Sequence, residues 1–317
     1  MTEAGRVGVV VMAHGTPERM EEIASFYTEI RGGRPPSGPQ LAELEARYAA
    51  IGGVSPLNAT TAAQTRAIAA CLQARRPGRY VVGHGSRFAT PRIEQAVDQL
   101  ADLGASRLVG LVLAPHSSRI SVGEYARRAR AATDTAAART KRVLSLTMVD
   151  HFYDVAGFPE LVATRVNSAL QALAPDIAHS AVVVFTAHSV PVAVVAAGDT
   201  YAEQLAESAE AVAKVTGLER WRVAWQSAGR TGAEWLGPDL RQVMTEEARS
   251  GTPAVVVCPI GFVSDHLEVL YDIDVEAAAV AHELHVAFTR TASFNADPDF
   301  CALLADVVCA ADDAGSR

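Results

Sequence analysis

Runs of consecutive apolar, β-branched residues recur along the chain. Between them lie segments whose apolar positions return every three or four residues. The runs are VGVVVMA (7–13), YVVG (80–83), LVGLVLAP (108–115), RVLSLTMV (142–149), AVVVFTAH (181–188), WRVAWQ (221–226), AVVVCPIG (254–261) and HVAFTR (285–290). Helical periodicity fills 18–30, 40–50, 59–74, 91–103, 121–138, 157–173, 201–216, 238–249, 265–283 and 297–311. Strands that are apolar on both faces and separated by helices predict parallel sheets covered on each side. The fold class is therefore α/β. The strands divide four and four, which predicts two similar domains over 1–150 and 151–317.

The two halves open alike. VVVMAHGTP begins the first and VVVFTAHSVP the second, so His14 and His188 both follow a buried first strand. Ligands of open α/β sheets bind beyond the carboxyl ends of the strands, and two such edges facing each other would form a cleft. Two loops break the pattern: RGGRPPSGPQ (31–40) and IGGVSPLNATT (51–61), the second restarting a helix at Asn58 or Thr60. Both follow the first strand–helix unit and could flank that cleft.

One helical segment carries chemistry. DHLEVLYDIDVE places Asp265, Glu268, Asp272, Asp274 and Glu276 in twelve residues, with His266 beside them. Glu268, Asp272 and Glu276 stand four apart and share a helix face, where like charges repel by about a few tenths of a kcal/mol per pair. Asp265 and Glu268 fit a capping box, with Ser264 or Asp265 as the cap. That reading leaves Asp272, Asp274 and Glu276 unexplained, because 264–283 holds no Lys or Arg. Carboxylates beside an imidazole suit a first-row divalent cation such as Fe(II), held loosely enough to pass on. His188 reads either as a half-buried structural histidine or, at its strand edge, as an acid–base group.

Composition narrows the class. A net charge of −8 over 317 residues argues against nucleic acid, whose phosphates need a basic footprint. No apolar run reaches the length of a membrane span, and MTEAGRVGVVVMA reads as a first strand rather than a signal peptide. The four cysteines, Cys71, Cys258, Cys301 and Cys309, form no CxxC and read as reduced cytosolic thiols. GHGSRF (83–88) lacks the third glycine of a dinucleotide fingerprint, since Phe88 stands there. Neither GxxxxGK[ST] nor GxSxG occurs.

Longer stretches carry a resemblance. MAHGTP, IRGGRP, RYAAIGGVSPLN, LAPHSSRISVGEY, FTAHSVP followed by GDTYAEQL, WQSAGRTGAEWLGPDL and PIGFVSDHLEVLYDIDVE occur in order, nearly end to end. Together they resemble ferrochelatases, most of all the short bacterial coproporphyrin ferrochelatases. The resemblance implies two Rossmann-like domains with a porphyrin cleft between them. It places the catalytic pair on His188 and Glu268, and the metal path on His188, Glu268, Asp272 and Glu276. It places porphyrin contacts on His14, Arg31, Arg47, Ser55, Ser121, Tyr125 and Trp225. Two positions depart from the family pattern: His14 replaces a usual Tyr, and Phe88 stands where a His is common, with His84 four residues earlier. An iron–sulfur cluster is not expected, because four thiolates must come within reach. No tightly bound cofactor is implied; Fe(II) is a substrate.

The implied reaction inserts Fe(II) into coproporphyrin III, releasing two pyrrole protons in heme biosynthesis. His188, taken as neutral near pH 7, would accept a proton. Four propionates would be met by Arg31, Arg34, Arg47, Arg119 and neighbouring hydroxyls. The expected protein is a cytoplasmic monomer making transient contact with a downstream coproheme decarboxylase. Two other classes stay open: a chelatase for another ring or metal, such as protoporphyrin IX or cobalt, and a non-catalytic tetrapyrrole carrier.

Overall fold

The computed structural model describes residues 6–229 and 232–315. The ends of the two expected domains and the Arg-Thr pair within WQSAGRTGAEWLGPDL lie outside the described residues. The fold is α/β, with two four-stranded parallel sheets flanked by helices.

In the first unit the strands are β1 (Val7–Ala13), β2 (Tyr80–Ser86), β3 (Arg107–Val112) and β4 (Ser145–Val149), in the order β2-β1-β3-β4. Every β1 residue is buried, because β1 is internal to the sheet and helices cover both faces. In the second unit they are β5 (Val182–His188), β6 (Trp221–Gln226), β7 (Ala254–Cys258) and β8 (Ala287–Arg290), in the order β6-β5-β7-β8. The two orders are equivalent, so β1 and β5 occupy the same place. In each sheet the chain reverses direction between the first and third strands. Ligands of open α/β sheets bind at such a switch point, beyond the carboxyl ends of the strands. His14 follows β1 and His188 ends β5, so both histidines stand at such a point.

The strand and helix expectations coincide with the structure to within a few residues at most boundaries. The short helices Pro175–Ala178 and Val192–Ala196 were not expected. The helix after IGGVSP begins at Leu57.

The domain boundary differs in one respect. The chain leaves the first unit at 152, but 294–315 return to it. The helix Pro298–Ala314 explains why. Asp312 near its end is fully buried and accepts from Arg79 Nε at 2.6 Å, from Tyr80 Oη at 3.0 Å and from Arg107. Arg75 pairs with Asp306 at 2.5 Å, and Phe294 stacks on Phe300 at 4.3 Å. A buried carboxylate ringed by guanidinium and hydroxyl donors satisfies its desolvated charge only in that place. Cys301 is buried on this helix, and Cys309 Sγ lies 3.6 Å from Tyr80 Oη.

Candidate active site

β5 delivers His188 to the sheet edge, and the segment after β7 delivers Glu268. Two features hold them together. Gly261 donates its N–H to the Thr186 carbonyl at 3.0 Å. A Cβ on Gly261 would lie 2.4 Å from that of Ala187, so only glycine lets the loop press on β5 this closely. Gln226, buried at the end of β6, forms the second. Its side chain accepts from Thr186 Oγ1 at 2.8 Å and donates to the Glu268 carbonyl at 3.0 Å. Its own carbonyl accepts from the Ser189 N–H at 2.8 Å.

The His188 ring is fixed at both nitrogens. Nδ1 donates to the Ser189 carbonyl at 2.5 Å, and Nε2 lies 3.5 Å from Glu268 Oε1. With the Nδ1 proton committed, a neutral ring would turn a lone pair toward a carboxylate. Protonation of Nε2 removes that repulsion. Burial works against the charged ring, but the Glu268 charge and hydrogen bond, with the Ser189 carbonyl, outweigh it and raise His188 to about 9. The expectation of a neutral His188 at pH 7 is corrected on this ground: the resting pair is imidazolium and carboxylate.

Glu268 has a second partner. His266 Nε2 lies 3.5 Å from Glu268 Oε2, and His266 Nδ1 donates to the Ser264 carbonyl at 3.0 Å. Burial alone would raise the Glu268 carboxyl, but His188 and then His266 hold it well below the usual carboxylate range. The capping box is not formed. His266 precedes the helix Leu267–Leu270 without a side-chain cap, and Asp265 instead accepts from Arg290 at 3.1 Å and Ser293 at 2.8 Å. Glu268 is thus released from a capping role. The sequence drew notice to His266 but gave it no function; its spacing of two from Glu268 was the available signal.

The single helix expected over 265–283 is divided. A wide-turned π-helical segment, Asp272–Ala277, separates Leu267–Leu270 from Ala278–Glu283. Its widened bond runs from the Glu276 N–H to the Tyr271 carbonyl at 2.9 Å. The sequence explains the widening. Val269, Ile273, Ala277 and Ala281 are buried and step by four, as do Glu268, Asp272 and Glu276. Four residues overshoot an α-turn of 3.6, so a wider turn keeps both rows aligned. π-Turns of this kind recur at functional sites.

The five acids of the segment are sorted by their partners. Arg290, the last residue of β8, pairs with Asp274 at 2.6 Å and with Asp265, supplying from a distant strand the cation absent from 264–283. Asp272 is buried and accepts from Ser227 Oγ. Arg241, bonded to Asp239 at 3.0 Å, also feels the charges of Glu276 and Asp272. Among the described residues no three His, Cys, Asp or Glu side chains form one cage for an ion.

The aromatic positions need a correction. Trp225 is 5% exposed and packs on Tyr201 at 5.7 Å, so its ring is part of the core. The tryptophan beside His188 is Trp235, at 6.2 Å between ring centroids. Backbone bonds between Leu236 and Val190, and between Val192 and Glu234, hold it there.

The remaining predicted positions lie in the first unit. His14 is exposed, donates from Nδ1 to the Gly15 carbonyl at 2.9 Å and meets Phe88 at 4.8 Å and Phe26 at 6.0 Å. Arg31 lies over Tyr27, and Arg31 and Arg34 each donate to the other's carbonyl at 3.2 Å. Arg47 is half-buried in the helix Gly38–Ala50. Ser55 is buried and accepts from the Leu57 N–H at 3.3 Å. Ser121 precedes the helix Val122–Thr140 and donates to the Ser118 carbonyl at 3.4 Å. Tyr125 is 6% exposed and belongs to the apolar core of this unit. His84 is half-buried on β2, apart from the ring cluster at His14.

A family model described as Ferrochelatase matches residues 6–312. The chain belongs to the ferrochelatase family. A ferrochelatase of Herpetosiphon aurantiacus is 39% identical over 96% of this chain and 99% of its own. The coproporphyrin III ferrochelatase of Anoxybacillus flavithermus is 40% identical over 95% of each, and that of Bacillus pumilus 38% over 96% and 97%. Among solved structures, SirB from Bacillus subtilis with Fe3+ aligns at a TM-score of 0.58 and 12% identity, covering 98% of each chain. The sirohydrochlorin chelatase SirB from Bacillus subtilis subspecies spizizenii, in complex with cobalt, aligns at 0.56 and 11% over 97% and 96%. The latter pair shows the fold. As a ferrochelatase family member the chain is a metal chelatase, with porphyrin and iron as its substrate classes. Among the described residues no helix is long and apolar enough to cross a membrane.

Proposed function

We propose that this ferrochelatase inserts Fe(II) into coproporphyrin III, yielding coproheme and two protons, in a heme pathway that removes carboxyls after iron insertion. The observation that carries the chemistry is the His188–Glu268 pair at the switch point of the second sheet. Each metal inserted replaces two pyrrole protons, so charge balances. His188 begins protonated and cannot accept a proton in that state. A dication arriving at Glu268 weakens the attraction that keeps the imidazole charged. His188 then gives its proton to water and becomes a base when metal is at hand. Asp272 and Glu276 serve as the approach, with metal passing from carboxylate to carboxylate.

Coproporphyrin is favoured over protoporphyrin by the names of the Anoxybacillus and Bacillus relatives and by the arginines of the first unit. Arg31 and Arg34 stand together in one loop, and a guanidinium pairs with a carboxylate by two parallel bonds. The enzyme is proposed to be a cytoplasmic monomer without a tightly bound cofactor or iron–sulfur cluster. It is proposed to pass coproheme to its decarboxylase in a transient contact. The test is an anaerobic assay in detergent-free buffer with Fe(II) and each porphyrin in turn. A higher kcat/KM for coproporphyrin III is expected. Equal values or a preference for protoporphyrin would reject the substrate, and conversion stopping at one equivalent would reject catalysis.

A further inference from the structure

β2 ends in Ser86, and the next residue, Arg87, stands apart from the other arginines around it. Arg92 pairs with Glu29, Arg127 with Glu124 and Arg128 with Glu94, each within 2.8 Å. Among the described residues Arg87 makes no ion pair, and its Nε is buried without a hydrogen-bond partner. Its guanidinium lies 4.9 Å from the Phe88 ring centroid and 5.3 Å from that of Tyr125. Glu124 feels its charge but is committed to Arg127 at 2.6 Å.

The backbone beneath this side chain is pinned. The Arg87 carbonyl accepts from Arg128 Nη1 at 2.8 Å and from Arg92 Nη1, and the Arg87 N–H donates to the Ala13 carbonyl at 3.0 Å. That bond ties Arg87 to the end of β1, next to His14. Phe88 then carries the contact onward, meeting His14 at 4.8 Å and Phe26 at 6.2 Å. The first unit therefore presents, at its switch point, an aromatic cluster with one half-buried cation beside it. An aromatic cluster suits the flat apolar body of a tetrapyrrole. A half-buried cation with no protein anion suits a negative substituent of that body, and a pre-positioned guanidinium loses little freedom on pairing.

We infer that Arg87 is a substrate-binding residue that pairs with one carboxylate of the porphyrin. The inference rests on the proposed use of a carboxylate-rich porphyrin and names a residue for one of those carboxylates. The cation–aromatic contacts hold the guanidinium in place, and the substrate supplies its counter-charge.

The test is equilibrium binding of metal-free coproporphyrin III, followed by porphyrin fluorescence, to the wild type, Arg87→Met and Arg87→Lys. Met keeps the packing against Phe88 and Tyr125 and removes the charge; Lys keeps the charge and removes the fork. Coproporphyrin tetramethyl ester, measured beside the free acid in the same dilute detergent, lacks the anionic charge. Loss of a charge-assisted bond predicts binding of the free acid weakened roughly 10- to 100-fold by Arg87→Met. Ester binding should change less than about twofold, with Arg87→Lys intermediate for the acid. Unchanged binding of the acid by Arg87→Met, or equal losses for acid and ester, would overturn the inference and leave Arg87 as packing. If Arg87→Met fails to fold, Arg87→Lys decides alone: an acid-selective loss supports the inference and no loss overturns it. Wild-type protein that turns over coproporphyrin while the variants bind it normally separates failure of this inference from failure of the substrate proposal.

Discussion

Nε2 of His188 stands 3.5 Å from Oε1 of Glu268, while Nδ1 of the same ring is spent on the Ser189 carbonyl. The imidazole has one nitrogen left for chemistry, and it faces a carboxylate. In the proposed reaction, removing the ring removes the proton acceptor. His188→Ala is expected to lower kcat by about 10²–10⁴-fold, with porphyrin binding retained. A steady-state assay beside a fluorescence titration checks this, and a variant keeping more than about a tenth of kcat excludes the base role.

The pH behaviour has a fixed sign. Glu268 favours the charged imidazole, so His188 is raised from 6.5 to about 9. Its stabilising contribution is complete below about 6.5 and is lost as pH rises through about 9. In Glu268→Gln the largest raising influence is gone, and burial then acts against only the Ser189 carbonyl and the Asp272 charge, so the His188 midpoint should fall well below that of the wild type. Proton NMR of the His188 ring reports the midpoint. A midpoint still near 9 in Glu268→Gln would place the cause elsewhere.

The acidic row gives an ordered expectation. Glu268→Gln should reduce kcat nearly as much as His188→Ala, because it meets both His188 and His266. Asp272→Asn and Glu276→Gln should chiefly raise the KM for Fe(II), since they lie further along the row. A larger kcat loss at Glu276 than at Glu268 would reverse the proposed path.

Stability can be probed away from the chemistry. Asp312 is fully buried among Arg79, Arg107 and Tyr80. Asp312→Ala removes the carboxylate that Arg79, Arg107 and Tyr80 share, leaving Arg107 the residue-312 backbone carbonyl, and should cost about 1.5–3 kcal/mol. Urea unfolding checks it; a loss below about 1 kcal/mol would mean that water replaces the carboxylate.

Much of the fold was legible because its inner strands, β1, β3, β5 and β7, are buried nearly throughout and so are written as apolar, mostly Val-rich runs. β1 and β6 begin and end where their apolar runs do. That His188 and Glu268 meet was implied by the resemblance alone, since nothing local in either segment announces the other. What escaped depended on partners distant in sequence. Arg290 reaches Asp265 and Asp274 from another strand, and no local pattern announces it. The return of Pro298–Ala314 to the first unit rests on Asp312 meeting arginines more than two hundred positions away. Trp225 was expected near the substrate, and its burial against Tyr201 is not announced by its motif. The π-helical turn left a trace in the period of four, which reads as an ordinary helix unless the drift of 3.6 residues per turn is followed.

The place of Asp312 also bears on how the protein is made. Domains generally fold as units while the chain is synthesised from its N-terminus. Here the first sheet emerges early, yet the helix that supplies a carboxylate to Arg79 and Arg107 is translated after the whole second unit. The first unit must wait, with those arginines uncompensated, until the whole second unit has left the ribosome. The N-terminal half therefore reaches its final form only once 298–314 are made, and a chain cut between residues 293 and 298 has a whole second unit but an incomplete first one.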